Sequence, residues 1–150
     1  MKSLNANKLL KGSVLLKKEL FTVLMAIFLT IGLLTTFALS EDIPMMTKDE
    51  LKTMLENPDL VIVDVRLIGD YMSGDLKIKG AVRAMGGTIG VFMQTYPKGR
   101  TFVFYCASPN EETSAMLAKG ARLTYGFTKV YVLKGGWEEW LKANYPTEKK

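Results

Sequence analysis

One cysteine, Cys106, and no histidine occur among the 150 residues. Thr101-Phe-Val-Phe-Tyr-Cys106 is a short apolar and aromatic run, and Ala107-Ser-Pro-Asn-Glu111 follows as a compact loop. Glu112-Thr-Ser-Ala-Met-Leu-Ala-Lys-Gly-Ala-Arg122 then carries Ala115, Leu117, Ala118 and Ala121 at roughly helical spacing. The run reads as a buried strand and the last part as a helix. A loop that turns directly into a helix aims backbone N–H groups at one point, and the helix N-terminus adds partial positive charge. A cysteine held there has its thiolate, the nucleophilic form, stabilised. A small buried residue ending a core strand is the alternative, and the pattern alone leaves both readings open. The absence of histidine excludes a Cys–His pair and histidine metal ligands, and no cysteine cluster exists to bind metal.

Other constellations are better read as structure. Asp64 and Arg66 sit two apart at a strand end, where an ion pair is the usual role. Trp137 and Trp140 lie three apart and share a helix face that packs on a sheet. The nine methionines are scattered, with only Met45-Met46 adjacent, so copper binding lacks its cluster. Gly86, Gly87 and Gly90 resemble a fragment of a phosphate loop, but its lysine and its strand–turn–helix frame are missing; a flexible connection is expected. The net charge of +5 is unevenly placed. Residues 1–20 hold Lys2, Lys8, Lys11, Lys17, Lys18 and Glu19, giving +4, and the other 130 residues sum to +1. That near-neutral body carries no nucleic-acid signature.

The elements that must position Cys106 can be read in order. Thr47-Lys-Asp-Glu50 fits a capping box, and Leu51, Met54 and Leu55 give a short amphipathic helix ended by Asn57-Pro58. Leu60-Val-Ile-Val-Asp-Val65 is a continuous apolar strand of the kind found inside parallel sheets. Residues 71–81 read as a loop leading to a short strand at 81–84, and Val91 to Tyr96 as a helical turn closed by Pro97-Lys-Gly99. After the cysteine unit, Gly126 fits a C-terminal cap, Lys129-Val-Tyr-Val-Leu133 a strand and Trp137–Ala143 a last helix before a charged tail. Strands alternating with helices predict an α/β fold with a mainly parallel sheet.

Residues 1–40 read as an export segment. Phe21 to Leu39 contains 19 residues without a charge, preceded by Lys17-Lys18 and followed by Glu41-Asp42. A positive flank, an apolar run and small residues at Ala38-Leu39-Ser40 make a signal with a cleavage site before Glu41. The run exceeds the about 7–15 residues of a signal core and approaches the roughly 20 that span a bilayer, so an uncleaved anchor is the rival reading. Residues 41–150 would then be an exported, periplasmic or cell-envelope domain, meeting membrane only through residues 21–39 if the segment is uncleaved. An unpaired cysteine in such a place stays free, bonds another chain or carries something.

From about Met45 to Thr147 the chain resembles a single rhodanese domain. Val61-Ile-Val-Asp-Val-Arg66, Ile78-Lys-Gly-Ala81, Val103-Phe-Tyr-Cys106 and Val130-Tyr-Val-Leu-Lys-Gly-Gly-Trp-Glu-Glu-Trp140 carry the resemblance by their order and spacing. It implies a five-stranded, mainly parallel sheet flanked by helices on both faces, with the active loop at the carboxyl end of a central strand. It also implies a sulfurtransferase without a cofactor, in which Cys106 carries sulfane sulfur as a persulfide from a small donor to a thiol acceptor. The backbone N–H groups of Ala107, Ser108, Asn110, Glu111 and Glu112 would cradle the anion. Arg83 and Lys134, in segments that approach the loop in the family, would supply positive charge. The loop departs from the family by lacking Arg, Lys and Gly, by holding Glu111 and Glu112, and by Pro109, which contributes no N–H. The family's common Gly-His-x-x-Gly-Ala is replaced around Asp75. Thiosulfate, a dianion, would therefore be a poor donor, and polysulfide or a protein persulfide a better one. The sixth residue after Cys106 is Glu112, where a cysteine phosphatase needs Arg. A non-catalytic binding module and a thiol redox sensor are the alternative readings.

Overall fold

The computed structural model describes residues 17–25 and 42–150, and the chain divides into two compact units, Met1–Glu41 and Asp42–Lys150. In the first unit residues 17–25 are helical with exposed side chains. Most of the apolar run Phe21–Leu39 and the Ala38–Ser40 cleavage site lie outside the described residues. No helix among the described residues is long and apolar enough to cross a membrane.

The second unit runs β1 (Met45–Met46), α1 (Lys48–Met54), β2 (Leu60–Asp64), α2 (Ile68–Met72), β3 (Leu76–Ile78), β4 (Val82–Arg83), α3 (Ile89–Gln94), β5 (Thr101–Tyr105), α4 (Glu112–Leu123), β6 (Val130–Leu133), α5 (Gly136–Lys142) and β7 (Thr147–Lys149). Five strands form one sheet in the order β1-β6-β5-β2-β4, with every pairing parallel. Cys106 thus ends the central strand. β2 and β5 read as unbroken apolar runs because both faces of the sheet are covered.

The two-residue period sorts the core. Val61, Val63, Phe102, Phe104, Val130 and Val132 pack with Ile89 and Met93 of α3 and Ala118 and Ala121 of α4. Ile62, Val103, Tyr105 and Leu133 pack on the other side with Leu51 of α1 and Trp140 of α5. Cys106 continues the alternation of β5 and belongs to the α3–α4 layer. Local signals hold where the sequence placed them. The Thr47 hydroxyl accepts from Glu50 N–H at 3.2 Å, while Thr47 N–H donates to the Glu50 carboxylate at 2.7 Å. Gly126, at φ 69°, follows α4 and donates to the Arg122 carbonyl.

Three expectations are corrected. The loop expected over residues 71–81 contains the end of α2 and the strand β3, and the expected charged tail is β7, antiparallel to β3. Charged side chains suit this small ribbon because Lys77 and Glu148 stand opposite each other and pair at 3.0 Å. The expected flexible connection at Gly86-Gly87 is a single 3₁₀ turn, Gly86–Thr88, leading into α3.

Two arrangements fix the backbone around Cys106. The first is a buried polar knot. Asp64, opposite Tyr105 in the β2–β5 register, accepts from Arg66 Nη2 at 2.6 Å, Arg66 Nε at 3.0 Å and Tyr105 Oη at 2.7 Å. Arg83, opposite Asp64 on β4, adds Nη1 at 3.1 Å from the Asp64 carbonyl and 3.4 Å from its carboxylate. The Arg66 guanidinium also donates to the Leu76 carbonyl at 3.1 Å and lies 4.4 Å from the Trp137 ring. Burial pulls the Arg66 guanidinium down, but Asp64 and Tyr105 more than offset it, leaving its pKa raised. Burial, reinforced by Asp64, pushes the Tyr105 phenol upward.

The second is the turn between β6 and α5. Gly135 and Gly136 both take positive φ, 73° and 50°, a conformation that glycine enters without a Cβ penalty. Trp137 N–H donates to the Cys106 carbonyl at 2.9 Å, and Gly135 N–H to Glu111 Oε1 at 2.6 Å. A Cβ on Gly136 would stand 2.4 Å from the Cys106 carbonyl oxygen.

Four substitutions test these arrangements. Gly136→Ala is expected to lose about 2 kcal/mol of stability in urea titration, since the left-handed φ and the backbone clash coincide. Gly99→Ala, with open space around it, is expected to stay within about 0.5 kcal/mol; equal effects at the two positions would contradict the close approach. Arg66→Met, which leaves the buried Asp64 carboxylate with only Tyr105 and the longer Arg83 contact, is expected to cost about 3 kcal/mol by the same measurement. The raised Tyr105 pKa gives a sign in pH. Below the unfolded tyrosine value of about 10 both states keep the proton and the contribution is intact; above it the unfolded chain ionises first and stability falls. Tyr105→Phe should flatten that alkaline decline relative to the native protein, and parallel curves above pH ~10 would exclude Tyr105 as its source.

Candidate active site

Strand β5 delivers Cys106 to the carboxyl edge of the sheet, and residues 107–111 turn the chain into α4. The loop closes on itself, as Glu111 N–H donates to the Ser108 carbonyl at 3.1 Å. Glu111 takes φ 51°, an uncommon left-handed conformation for a residue other than glycine. Its carboxylate reaches across to Gly135 N–H. The loop is therefore held at both ends by the same glycine turn, through Glu111 at one end and the Cys106 carbonyl at the other.

The Cys106 side chain is buried, and its Sγ lies 3.4 Å from Ser114 Oγ and 3.9 Å from the Ser108 carbonyl. Ser114 is fully buried one turn into α4, and its hydroxyl lies 2.9 Å from the Glu111 carbonyl. This arrangement serves two states of sulfur. A thiol S–H can donate to Ser114 Oγ while the hydroxyl donates to Glu111. An anionic sulfur accepts the hydroxyl proton instead, which a side-chain rotation allows. Cys106 also lines a cavity of about 280 Å³, together with Leu67, Asp70, Ala107, Ser108, Pro109, Thr113 and Glu138.

The cradle expected from residues 107–112 is only partly gathered. Ala107 and Ser108 line the cavity. Asn110 and Glu112 are exposed residues absent from its lining. The Glu111 N–H is used inside the loop, and its carboxylate is turned to Gly135, so it serves as a strut. Neither cation expected from the neighbouring segments reaches the cavity lining. Arg83 stands opposite Asp64 in the ladder and is engaged there, with its guanidinium 4.3 Å from the Tyr71 ring. Lys134 is exposed and lines a different cavity with Thr47, Lys48, Asp49, Glu111, Gly135 and Glu139.

The structure adds residues that sequence reasoning missed. Asp70 from α2 and Glu138 from α5 bring two carboxylates to the cavity, and no Lys or Arg is among its lining residues. Nothing local in the sequence marks these two, which stand 68 positions apart on different helices. Ser114 did leave a signal. It precedes Ala118 and Ala121 on the buried stripe of α4, a hydroxyl where the helical period calls for an apolar side chain. Phosphate would find no bidentate cation in this lining. Among the described residues no group of His, Cys, Asp and Glu could hold a metal ion.

Comparison with known proteins agrees with this geometry. The model of the rhodanese-like domain matches residues 47–143. The thiosulfate sulfurtransferase GlpE of Glaesserella parasuis is 26% identical over 105 residues, covering 69% of this chain and 91% of that protein. The solution structure of a rhodanese-like domain from an Anabaena protein superposes with a TM-score of 0.60 at 29% identity, covering 71% of this chain and 80% of that one. The polysulfide-sulfur transferase homodimer of Wolinella succinogenes, at 24% identity, shares the fold with a TM-score of 0.59 over 73% of this chain and 80% of its own. The Cys106 loop at the end of the central strand and the matched span lead to one conclusion: the chain belongs to the rhodanese-like domain family, which includes sulfurtransferases.

Proposed function

We propose that this protein is a sulfurtransferase that carries sulfane sulfur as a persulfide on Cys106. One observation carries the reading: Cys106 lines a cavity at the carboxyl end of the central strand, at the loop that leads into α4, and its sulfur lies 3.4 Å from a buried hydroxyl. The Cys106 thiolate attacks the outer sulfur of the donor. A Cys106 S–S bond forms, the donor's sulfur–sulfur bond breaks, and its electron pair leaves with the donor. An acceptor thiolate then attacks the outer sulfur of the persulfide, and the Cys106 thiolate departs with the bonding pair. Each step is a displacement with no net oxidation, so no cofactor is needed. The α4 N-terminus and the Ser114 hydroxyl stabilise the anion at each stage.

The donor follows from charge. Asp70 and Glu138 line the cavity, and no Lys or Arg is among its lining residues. A thiosulfate dianion meets repulsion there, and polysulfide or a protein persulfide, carrying less charge at the reacting end, is favoured. The Glaesserella relative is a thiosulfate sulfurtransferase, so the two proteins would differ in donor. Residues 1–40 act as an export signal or anchor, which places residues 41–150 in the cell envelope. The positive flank at Lys17-Lys18 and the compact unit that begins at Asp42 support this division.

Intact mass after exposure to thiosulfate and, separately, to polysulfide tests the reading. The expected result is a reducible gain of one sulfur atom with polysulfide, little with thiosulfate and none in Cys106→Ala. A folded protein with a reactive thiol that gains sulfur from neither donor would sink the transferase and leave a binding or redox role.

A further inference from the structure

The cavity beside Cys106 has the wrong sign of charge for the anion that its chemistry makes. A persulfide is anionic through most of its cycle, yet the side chains around it include Asp70 and Glu138 and no cation. The neighbouring positive groups are committed elsewhere. Arg66 and Arg83 are bound to Asp64, and Lys134 opens on another cavity. Lys142, an exposed residue, approaches Glu138 at 3.8 Å and pairs more closely with Glu139 at 3.2 Å. Asp70 has no ion-pair partner among the described residues. The α4 N-terminus faces this charge with a partial positive end only.

The same rim is apolar as well as acidic. Leu67, which lines the cavity, is 63% exposed, and Ile68 and Met72 on α2 are 64% and 71% exposed. Ile68 and Met72 are four apart and share one face of that helix. Pro109 adds apolar surface on the loop side. A small charged thiol would satisfy the carboxylates but leave this apolar surface uncovered. A polypeptide segment can satisfy both.

We propose that the acceptor of Cys106 sulfur is a cysteine in a protein segment that carries Lys or Arg beside the thiol and an apolar residue next to them. The basic residues pair with Asp70 and Glu138, and the apolar residue rests on Leu67 and α2. The partner thereby brings the cation that this cavity lacks. It neutralises the two carboxylates as the acceptor thiolate approaches, and it favours the departing Cys106 thiolate as the sulfur–sulfur bond breaks. The assignment rests on the sulfurtransferase reading for its chemistry. Its electrostatic half does not depend on sulfur transfer.

The test uses the full chain in two arms. The first labels Cys106 with two methanethiosulfonates of similar size, one bearing trimethylammonium and one bearing sulfonate, each rate being divided by that for a free cysteine derivative. The cationic reagent is expected to be about tenfold favoured at low salt, with the preference shrinking at high salt and abolished in Asp70→Asn/Glu138→Gln. No preference, or one unchanged in the double variant, overturns the proposal. The second arm loads Cys106 with polysulfide and follows transfer to peptides in which Cys is flanked by Lys and Leu, or by Glu and Leu, and to cysteamine. The Lys peptide is expected to be fastest, losing its lead in the double variant and, over the Glu peptide only, at high salt. Equal rates for the two peptides overturn the charge assignment, and a faster cysteamine overturns the protein acceptor in favour of a small aminothiol. A protein that shows the reagent preference but takes up no sulfur refutes the sulfurtransferase reading, and the acceptor assignment falls with it.

Discussion

A single buried carboxylate holds the end of the sheet where the chemistry is placed. Asp64 takes donors from Arg66, Tyr105 and Arg83, and so ties β2, β5 and β4 at the level of the last residue before Cys106. Through Arg66 the same knot reaches the Leu76 carbonyl on β3 and the Trp137 ring on α5. Buried ion pairs add little net stability when compared with apolar packing, but a partner lost leaves a costly charge behind. The value of the knot here is geometric. It fixes the spacing of three strands at the edge from which the Cys106 loop departs. It also engages Arg66 and Arg83, neither of which lines the neighbouring cavity.

The loop is constrained from the other side by close backbone contact. The Gly135–Gly136 turn donates N–H groups to Glu111 and, through Trp137, to the Cys106 carbonyl. Because Gly136 packs against that carbonyl, a side chain is forbidden at one point and the loop is braced at two. Cys106 Sγ then falls beside Ser114, a residue that α4 positions among its buried alanines. Rigid elements set each part of this site: the strand sets the sulfur, the helix sets the hydroxyl and the glycine turn sets the loop.

The legible parts of the sequence were those with a strong local period or a defined cap. The capping box at Thr47, the continuous run 60–65, the strand–Cys106–loop–helix unit and the glycine after α4 all express short-range physics, and their arrangement made the family visible. The ribbon of β3 and β7 escaped notice because Lys77, Glu148 and Lys149 look like solvated polar chain until they are paired across it. The cavity escaped for a related reason. Asp70 and Glu138 belong to different short helices, and only the tertiary fold brings them to the same wall. Arg83 was expected near the loop from its place in the family, while its registry with Asp64, which engages its guanidinium, was not legible. Ser114 was readable from its place on the apolar stripe but was passed over.

The β3–β7 ribbon has a bearing on that wall. Lys150 N–H donates to the Asp75 carbonyl at 3.0 Å, and its ammonium reaches the carbonyls of Tyr71 and Gly74 at the end of α2. α2 supplies Asp70 to the cavity. A ribbon of three residue pairs is a small unit with much of its hydrogen bonding near solvent, and such units open at free energies well below that of global unfolding. The polar side of the cavity is thus latched by a segment that can undo itself while the sheet stays intact. The acidic wall and the cysteine therefore stand on different footings: Cys106 follows the central strand of the sheet, and Asp70 rides on a five-residue helix with no buried side chain, tied down by a three-pair ribbon.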